Sequence, residues 1–372
     1  MRALVLHWGR NGGGPRFAAD AVSALRSVGV WTAYSWSEQS ERGPLDAGIA
    51  DLDLPVRTFS SAAEAVLGAP RAALAGRALR RFVTQERIDC VFASMEQIWQ
   101  PAAAWSVRGT GVPYLLGMHD ASFHAGDGSP LAVTTRRLEV AAADGLFAFS
   151  DAVAAELRGA RRMPVDRVWS SFLPARVHRS GGSRMDGHAG PVRFGFFGRL
   201  QPYKGLPVLL EAVQRLEPGA FELHIHGEGA EPALDGPLPS GVFLHRGWTA
   251  ESEVEEVVSG FDVVVAPYIE ASQSGVVPLA AALGIPAVVT PVGGLQEQVV
   301  DEVTGLVADR ADADALAVEL QRCVVEHGLV DRLGRAAADR IASERSIGRF
   351  GSDLRGAMEE LVRMGKRTGG RR

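Results

Sequence analysis

Short apolar runs recur along the whole chain, and each is followed by a loop and then by a helix-like stretch. Residues 2–7, 30–35, 90–93, 113–117 and 146–149 read as strands in the first half. Residues 192–197, 221–226, 242–245, 262–266 and 287–290 read the same way in the second. Continuous apolar runs of this length suit strands buried on both faces, and strands alternating with helices dictate parallel sheets. Between the two series, residues 174–191 carry Ser-Gly-Gly-Ser and few apolar side chains, the composition of a linker. A chain of 372 residues also exceeds what one core supports. The expected fold is therefore α/β. Two Rossmann-like, doubly wound domains at residues 1–175 and 192–345, joined by a linker at 176–191, would face an interdomain cleft. Residues 38–55 read as acidic and irregular, 62–85 as a long helix broken near Pro70, and 312–363 as largely helical.

Composition removes several classes of function. The net charge of −5 gives no reason to expect nucleic acid as a partner. No apolar run approaches a membrane span and the N-terminus lacks a secretory-leader pattern, so a cytoplasmic location is expected. Cys90 and Cys323 stand in strand-like and helix-like runs and read as buried, unpaired thiols. The basic side chains are nearly all arginine, and Lys204 and Lys366 are the only lysines.

Two stretches carry chemistry. Gly198-Arg199-Leu200-Gln201-Pro202-Tyr203-Lys204-Gly205 follows the first strand of the second series. An arginine and a lysine in one loop ahead of a helix can clamp a diphosphate without a metal, and the competing reading is an ordinary loop with solvated charges. The second stretch leaves a strand at Ala266, crosses Pro-Tyr-Ile-Glu-Ala-Ser-Gln-Ser, and opens a helix at Gly275. A loop at the carboxyl end of a parallel strand is where open α/β sheets hold ligands, and helix-start N–H groups near Gly275 and Val276 suit a phosphate.

The Gly-Arg-Leu…Lys-Gly loop resembles the retaining glycosyltransferases of family 4, which have the GT-B fold. The resemblance covers almost the whole chain. It takes in Gly12-Gly13-Gly14, His119-Asp120, Ala142-Ala143-Asp144 ahead of Ser150, Gly227-Glu228-Gly229, and Gly293-Gly294-Leu295-Gln296-Glu297. It implies a metal-independent, retaining transfer of a sugar from a nucleotide-diphosphate sugar to an acceptor. The acceptor would be a small natural product, a glycan or a lipid-linked glycan, and no cofactor beyond the donor and no metal would be needed. Arg199, Lys204 and His119 would be catalytic. Donor contacts would come from Gly13, Gly14, Gly198, Gly227, Glu228, Trp248, Ser272, Gln273, Ser274, Gly275, Val276 and Val277, and acceptor contacts from Asp120 and Asn11. The N-terminal domain would take the acceptor and the C-terminal domain the nucleotide sugar. A helix near residues 346–364 would cross back to the N-terminal domain, followed by a flexible basic tail.

The chain departs from the family at one place. The usual pair of glutamates, anchored on Gly275, Val277, Pro278 and Leu279, falls on Ser272 and Ala280, a Ser-Gln-Ser-Gly variant. This leaves two alternatives open: an inactive GT-B protein that binds nucleotide or glycan as a partner subunit, and a GT-B nucleotide-sugar epimerase. Other signals are set aside. Asp51-Leu52-Asp53 matches a metal-holding D-x-D but follows no clear strand. His224 and His226 share one strand face, but no third ligand lies near in sequence, so zinc is not expected there. Arg71, Arg77, Arg80 and Arg81 offer a basic face for weak contact with the inner membrane surface, against the plainer reading of solvated helix charges. The sequence places no bound on oligomeric state.

Overall fold

A computed structural model of the chain describes residues 1–10, 12–41, 48–122, 129–161, 163–175 and 190–369. Most of the expected linker, 176–189, lies outside them. Described residues up to Pro174, with those from Ile347 onward, form one compact unit, and Ala175–Ser346 form the other.

Unit 1 runs β1 (Arg2–His7), α1 (Gly13–Ser27), β2 (Trp31–Ser37), β3 (Leu52–Val56), α2 (Ala62–Leu67), α3 (Ala69–Gln85), β4 (Cys90–Ala93) and α4 (Gln100–Arg108). It continues with β5 (Tyr114–Met118), α5 (Pro130–Ala142), β6 (Gly145–Ala148), α6 (Asp151–Gly159) and β7 (Val168–Ser170). Unit 2 holds β8 (Val192–Phe197), α7 (Leu206–Val213), β9 (Phe221–Gly227), β10 (Val242–Arg246), α8 (Val254–Ser259), β11 (Val263–Ala266) and α9 (Val276–Ala282). β12 (Ala287–Val289), α10 (Leu295–Gln298), β13 (Gly305–Val307), α11 (Ala313–Val325) and α12 (Leu329–Ser343) complete it. The last helix, α13 (Ile347–Gly369), belongs to unit 1.

Among the described residues all strand pairs are parallel, in the orders β3-β2-β1-β4-β5-β6-β7 and β10-β9-β8-β11-β12-β13. Each sheet reverses its direction of winding once, between β1 and β4 and between β8 and β11. Such switch points open a crevice at the carboxyl ends of the strands. Alternation along β1 feeds two layers, with Leu4 and Leu6 in one core and Ala3 and Val5 in the other. The second layer is closed by α1 and α13, where Phe17, Phe147, Phe149 and Phe350 pack edge to face at 4.5–6.0 Å.

Three details differ from the sequence reading. The region read as irregular contains β3. The helix of residues 62–85 is two helices that divide at Gly68, not Pro70. Ser61 accepts a hydrogen bond from the Glu64 N–H while the Glu64 carboxylate takes the N–H of Ser60, one residue before the cap, and the two bonds together start α2. Pro70 stands in the first turn of α3, where its missing N–H has no intrahelical partner to lose. The last helix runs on to Gly369 through much of the stretch read as a flexible tail, and no proline interrupts it.

Candidate functional site

The unit 2 switch point gathers the loops that the sequence singled out. After β8 the chain passes Arg199 and makes a 3₁₀ turn at Pro202–Lys204. Gly205 then follows at φ 68°, where an added Cβ would lie 1.8 Å from the Pro267 carbonyl oxygen. Only glycine fits both the left-handed backbone and the contact. The Ile269 N–H donates to the Tyr203 carbonyl at 2.9 Å, so the loops after β8 and β11 are seated on each other. The loop after β9 joins them, because the Leu200 N–H donates to the Glu228 carbonyl at 2.8 Å. The loop after β12 closes the group at Gly293, φ 50°, where a Cβ would sit 1.7 Å from the Ala271 oxygen, and the Gly294 N–H donates to the Ser272 carbonyl at 3.0 Å.

Two cations stand among these loops. Arg199 is exposed and donates to the Tyr203 hydroxyl at 2.8 Å. The Lys204 ammonium lies 3.7 Å from the centroid of the Tyr268 ring and 5.0 Å from that of Tyr203. No carboxylate among the described residues pairs with Lys204. Aromatic faces hold its charge in place without neutralising it. The Ser-Gln-Ser segment divides in role. Ser274 is buried, its hydroxyl 2.9 Å from that of Tyr268, and its peptide is clamped by Gln298, whose amide accepts from the Ser274 N–H at 2.9 Å and donates to its carbonyl at 2.8 Å. Ser272 and Gln273 are half-buried, Gly275 is exposed, and Val276 and Val277 turn into the core. Ala280 is fully enclosed in that core. α9 has only seven residues, so its dipole is modest and most of the positive charge here comes from the two side chains. Glu228 is exposed beside Gly227, and Trp248, after β10, is 48% exposed. Gln298 carried no signal in the sequence beyond standing one residue past the Gly-Gly-Leu-Gln-Glu run.

In unit 1 the switch point is lined by a histidine the sequence reading passed over. His7 ends β1 and is buried, its Nδ1 3.0 Å from the Ser94 hydroxyl. Its Nε2 has no hydrogen-bond partner among the described residues. Burial, then the neighbouring His119, pushes its pKa down to about 3. The glycine loop is shaped by this ring, since a Cβ on Gly14 would lie 2.7 Å from it, whereas Gly13 is exposed with open space around it. A strand-end histidine before a glycine loop was the available signal. His119 follows β5, with its ring packed 5.2 Å from that of Phe17 and 4.5 Å from that of Phe149. Desolvation lowers its pKa to about 4, with Asp120 acting in the opposite direction. The Asp120 carbonyl accepts from Arg136, which also pairs with Glu96 at 3.2 Å. Asn11 lies outside the described residues.

The D-x-D aspartates are occupied structurally. Asp51 takes the Thr32 N–H at 2.8 Å and Arg26 at 3.2 Å, and Asp53 takes the Gly48 N–H at 2.7 Å. Arg71, Arg77, Arg80 and Arg81 are all exposed on α3, with Arg71 over the Trp99 ring at 5.7 Å. Among the described residues no helix is long and apolar enough to cross a membrane.

Comparison with known proteins agrees with this geometry. Residues 12–169 match the family described as "Glycosyl transferase 4-like domain", and residues 191–325 match "Glycosyl transferases group 1". The chain carries the two domains of a GT-B glycosyltransferase family. Solved GT-B structures share the fold over its length. Anabaena HepE, solved in complex with UDP and glucose, superposes with a TM-score of 0.73 at 14% identity, covering 96% of this chain and 99% of that one. Sucrose-phosphate synthase of Thermosynechococcus elongatus gives 0.71 at 17% identity, covering 98% and 99%. Among curated relatives, the D-inositol 3-phosphate glycosyltransferase of Geodermatophilus obscurus is 26% identical over 201 residues, 46% of this chain and 42% of its own length. The amylovoran biosynthesis glycosyltransferase AmsK of Erwinia amylovora is 32% identical over 146 residues, 36% of each chain. The chain thus spans well under half the length of the curated relatives it matches.

Proposed function

We propose that the chain transfers a sugar from a nucleotide-diphosphate sugar to an acceptor hydroxyl, with retention at the anomeric carbon and without a metal. The observation that carries this reading is Lys204, a cation with no carboxylate partner among the described residues, laid on Tyr268 beside Arg199 at the unit 2 switch point. A departing diphosphate supplies the missing negative charge. In the proposed step the bond from C1 to the phosphate oxygen breaks and its electron pair stays on that oxygen, where Arg199 and Lys204 stabilise it. The acceptor oxygen bonds to C1 from the same face, and its proton passes to the departing phosphate. No protein carboxylate is needed, unlike glycoside hydrolysis, which uses two. The complexes of HepE with UDP and with UDP-glucose favour a nucleotide donor of this kind.

The test is thermal-shift and calorimetric screening with UDP, GDP, ADP and dTDP, with and without a chelator. One nucleotide should stabilise the chain, the nucleotide-induced shift should be the same with and without chelator, and Lys204→Ala should weaken that binding about tenfold to a hundredfold, the value of a charge-assisted hydrogen bond. No response to any nucleotide would overturn the proposal. A second reading, a nucleotide-binding subunit without transfer, draws on Ser272 and the enclosed Ala280, which leave both glutamate positions without an acid. Nucleotide binding with neither donor hydrolysis nor transfer would favour it.

A further inference from the structure

The pair β9–β10 brings together three imidazoles that neither the core nor the proposed transfer uses. His224 and His226 lie on one face of β9, and the register sets Phe243 opposite His224 and His245 opposite His226. The third ring, absent from the nearby sequence, is delivered by strand pairing. No third ligand lies near His224 and His226 in sequence, but one lies near them in space.

The geometry is close to that of a metal site. One ring nitrogen from each histidine lies within 4.8 Å of the other two. His224 Nδ1 is 3.3 Å from His245 Nε2. Two nitrogens bound to one tetrahedral zinc, each at about 2.0–2.1 Å, stand about 3.3–3.4 Å apart. The other nitrogen of His224 is 3.2 Å from the Glu222 carboxylate, which is itself held by Arg193 at 3.1 Å. A carboxylate on the far nitrogen fixes the tautomer and orientation of a metal-bound histidine. Phe243 stacks on His224 at 5.0 Å and His226 on His245 at 4.0 Å, so the rings are held as a group. Because the three rings are nearly parallel, their lone pairs converge on a cation only after the rings rotate about their side-chain torsions, and His245, exposed on an edge strand, is freest to do so.

We propose that His224, His226 and His245 bind one first-row divalent cation, with zinc the natural occupant of three imidazole nitrogens and water in the fourth position. The ion ties edge strand β10 to β9 and braces unit 2. It takes no part in the phosphate chemistry assigned to Arg199 and Lys204.

The probe is zinc chloride titrated into the full chain after chelator treatment, followed by calorimetry and melting temperature. The wild-type chain should bind one equivalent and melt higher. His245→Ala, which removes an exposed ring, should lose the binding while keeping its zinc-free melting temperature. Glu222→Gln should weaken binding about tenfold to a hundredfold, the usual effect of losing an outer carboxylate. If His245→Ala binds zinc as tightly as the wild type, or the wild type takes up none, the proposal fails. The nucleotide-induced shift, measured with and without zinc, separates this outcome from the transfer reading, because the two effects should add.

Discussion

Single side chains set how the molecule responds to pH. His7 and His119 are held neutral by burial, at about 3 and about 4. The unfolded chain protonates them near 6.5, so the stability they contribute is complete above that pH and is lost as pH falls toward 4 and below. Glu139 acts in the opposite direction. Burial raises it to about 8 while it sits among Gln100, Tyr114 and the Gln97 N–H. Its contribution is complete below the unfolded value near 4.5 and is lost as pH rises through about 8. Denaturant midpoints across pH should therefore fall on both sides, with Glu139→Gln flattening the alkaline limb and His119→Asn the acid limb. An unchanged profile in either variant would contradict the assignment for that residue. The sequence exposed Arg199 and Lys204 because two cations sit in one short loop, but it hid His7, whose role comes from burial and from what packs against it. It hid His245 for a similar reason, since only strand register joins it to His226.

At the level of elements, the missed strands share one property. β3, β7 and β13 are all edge strands, each with a single neighbour, and β7 and β13 have three residues each. An edge strand needs no continuous apolar run, and β3 even contains Pro55, which an edge tolerates. The central strands β1, β4, β5 and β11 are buried on both faces and stand plainly in the sequence, whereas β9 alternates buried and half-buried residues. Loop assembly at the unit 2 site depends on glycine and on one amide. Gln298→Ala removes both hydrogen bonds to the Ser274 peptide, which should cost about 1–3 kcal/mol and speed amide exchange around residues 268–276. Gly205→Ala should be worse, because a left-handed alanine costs about 1–2 kcal/mol before the clash with Pro267 is relieved. If Gly205→Ala melts like the wild type, the close packing of these two loops is not needed for stability.

At the level of the whole molecule, α13 decides whether unit 1 has a closed core. Phe350, Leu354, Met358 and Leu361 are buried in the layer formed with α1. Asp353 and Glu360 also accept from Ser171 and Trp169 at 2.9 Å each. At roughly 1.5–3 kcal/mol per large side chain, these four are worth about 6–12 kcal/mol, similar to the whole net stability of a domain. A chain ending at Ser346 should keep unit 2 folded but lose protection across β1, β6 and α1 in hydrogen exchange. Retained protection there would show that α13 is dispensable. Chain order adds a consequence during synthesis. All of unit 2 is made between β7 and α13, so at about 5–20 residues per second unit 1 waits on the order of ten to thirty seconds for its last helix. Throughout that interval Phe17 and Phe147 lack the Phe350 ring that packs on them, so apolar surface of this layer stays uncovered until residues 347–361 have been made.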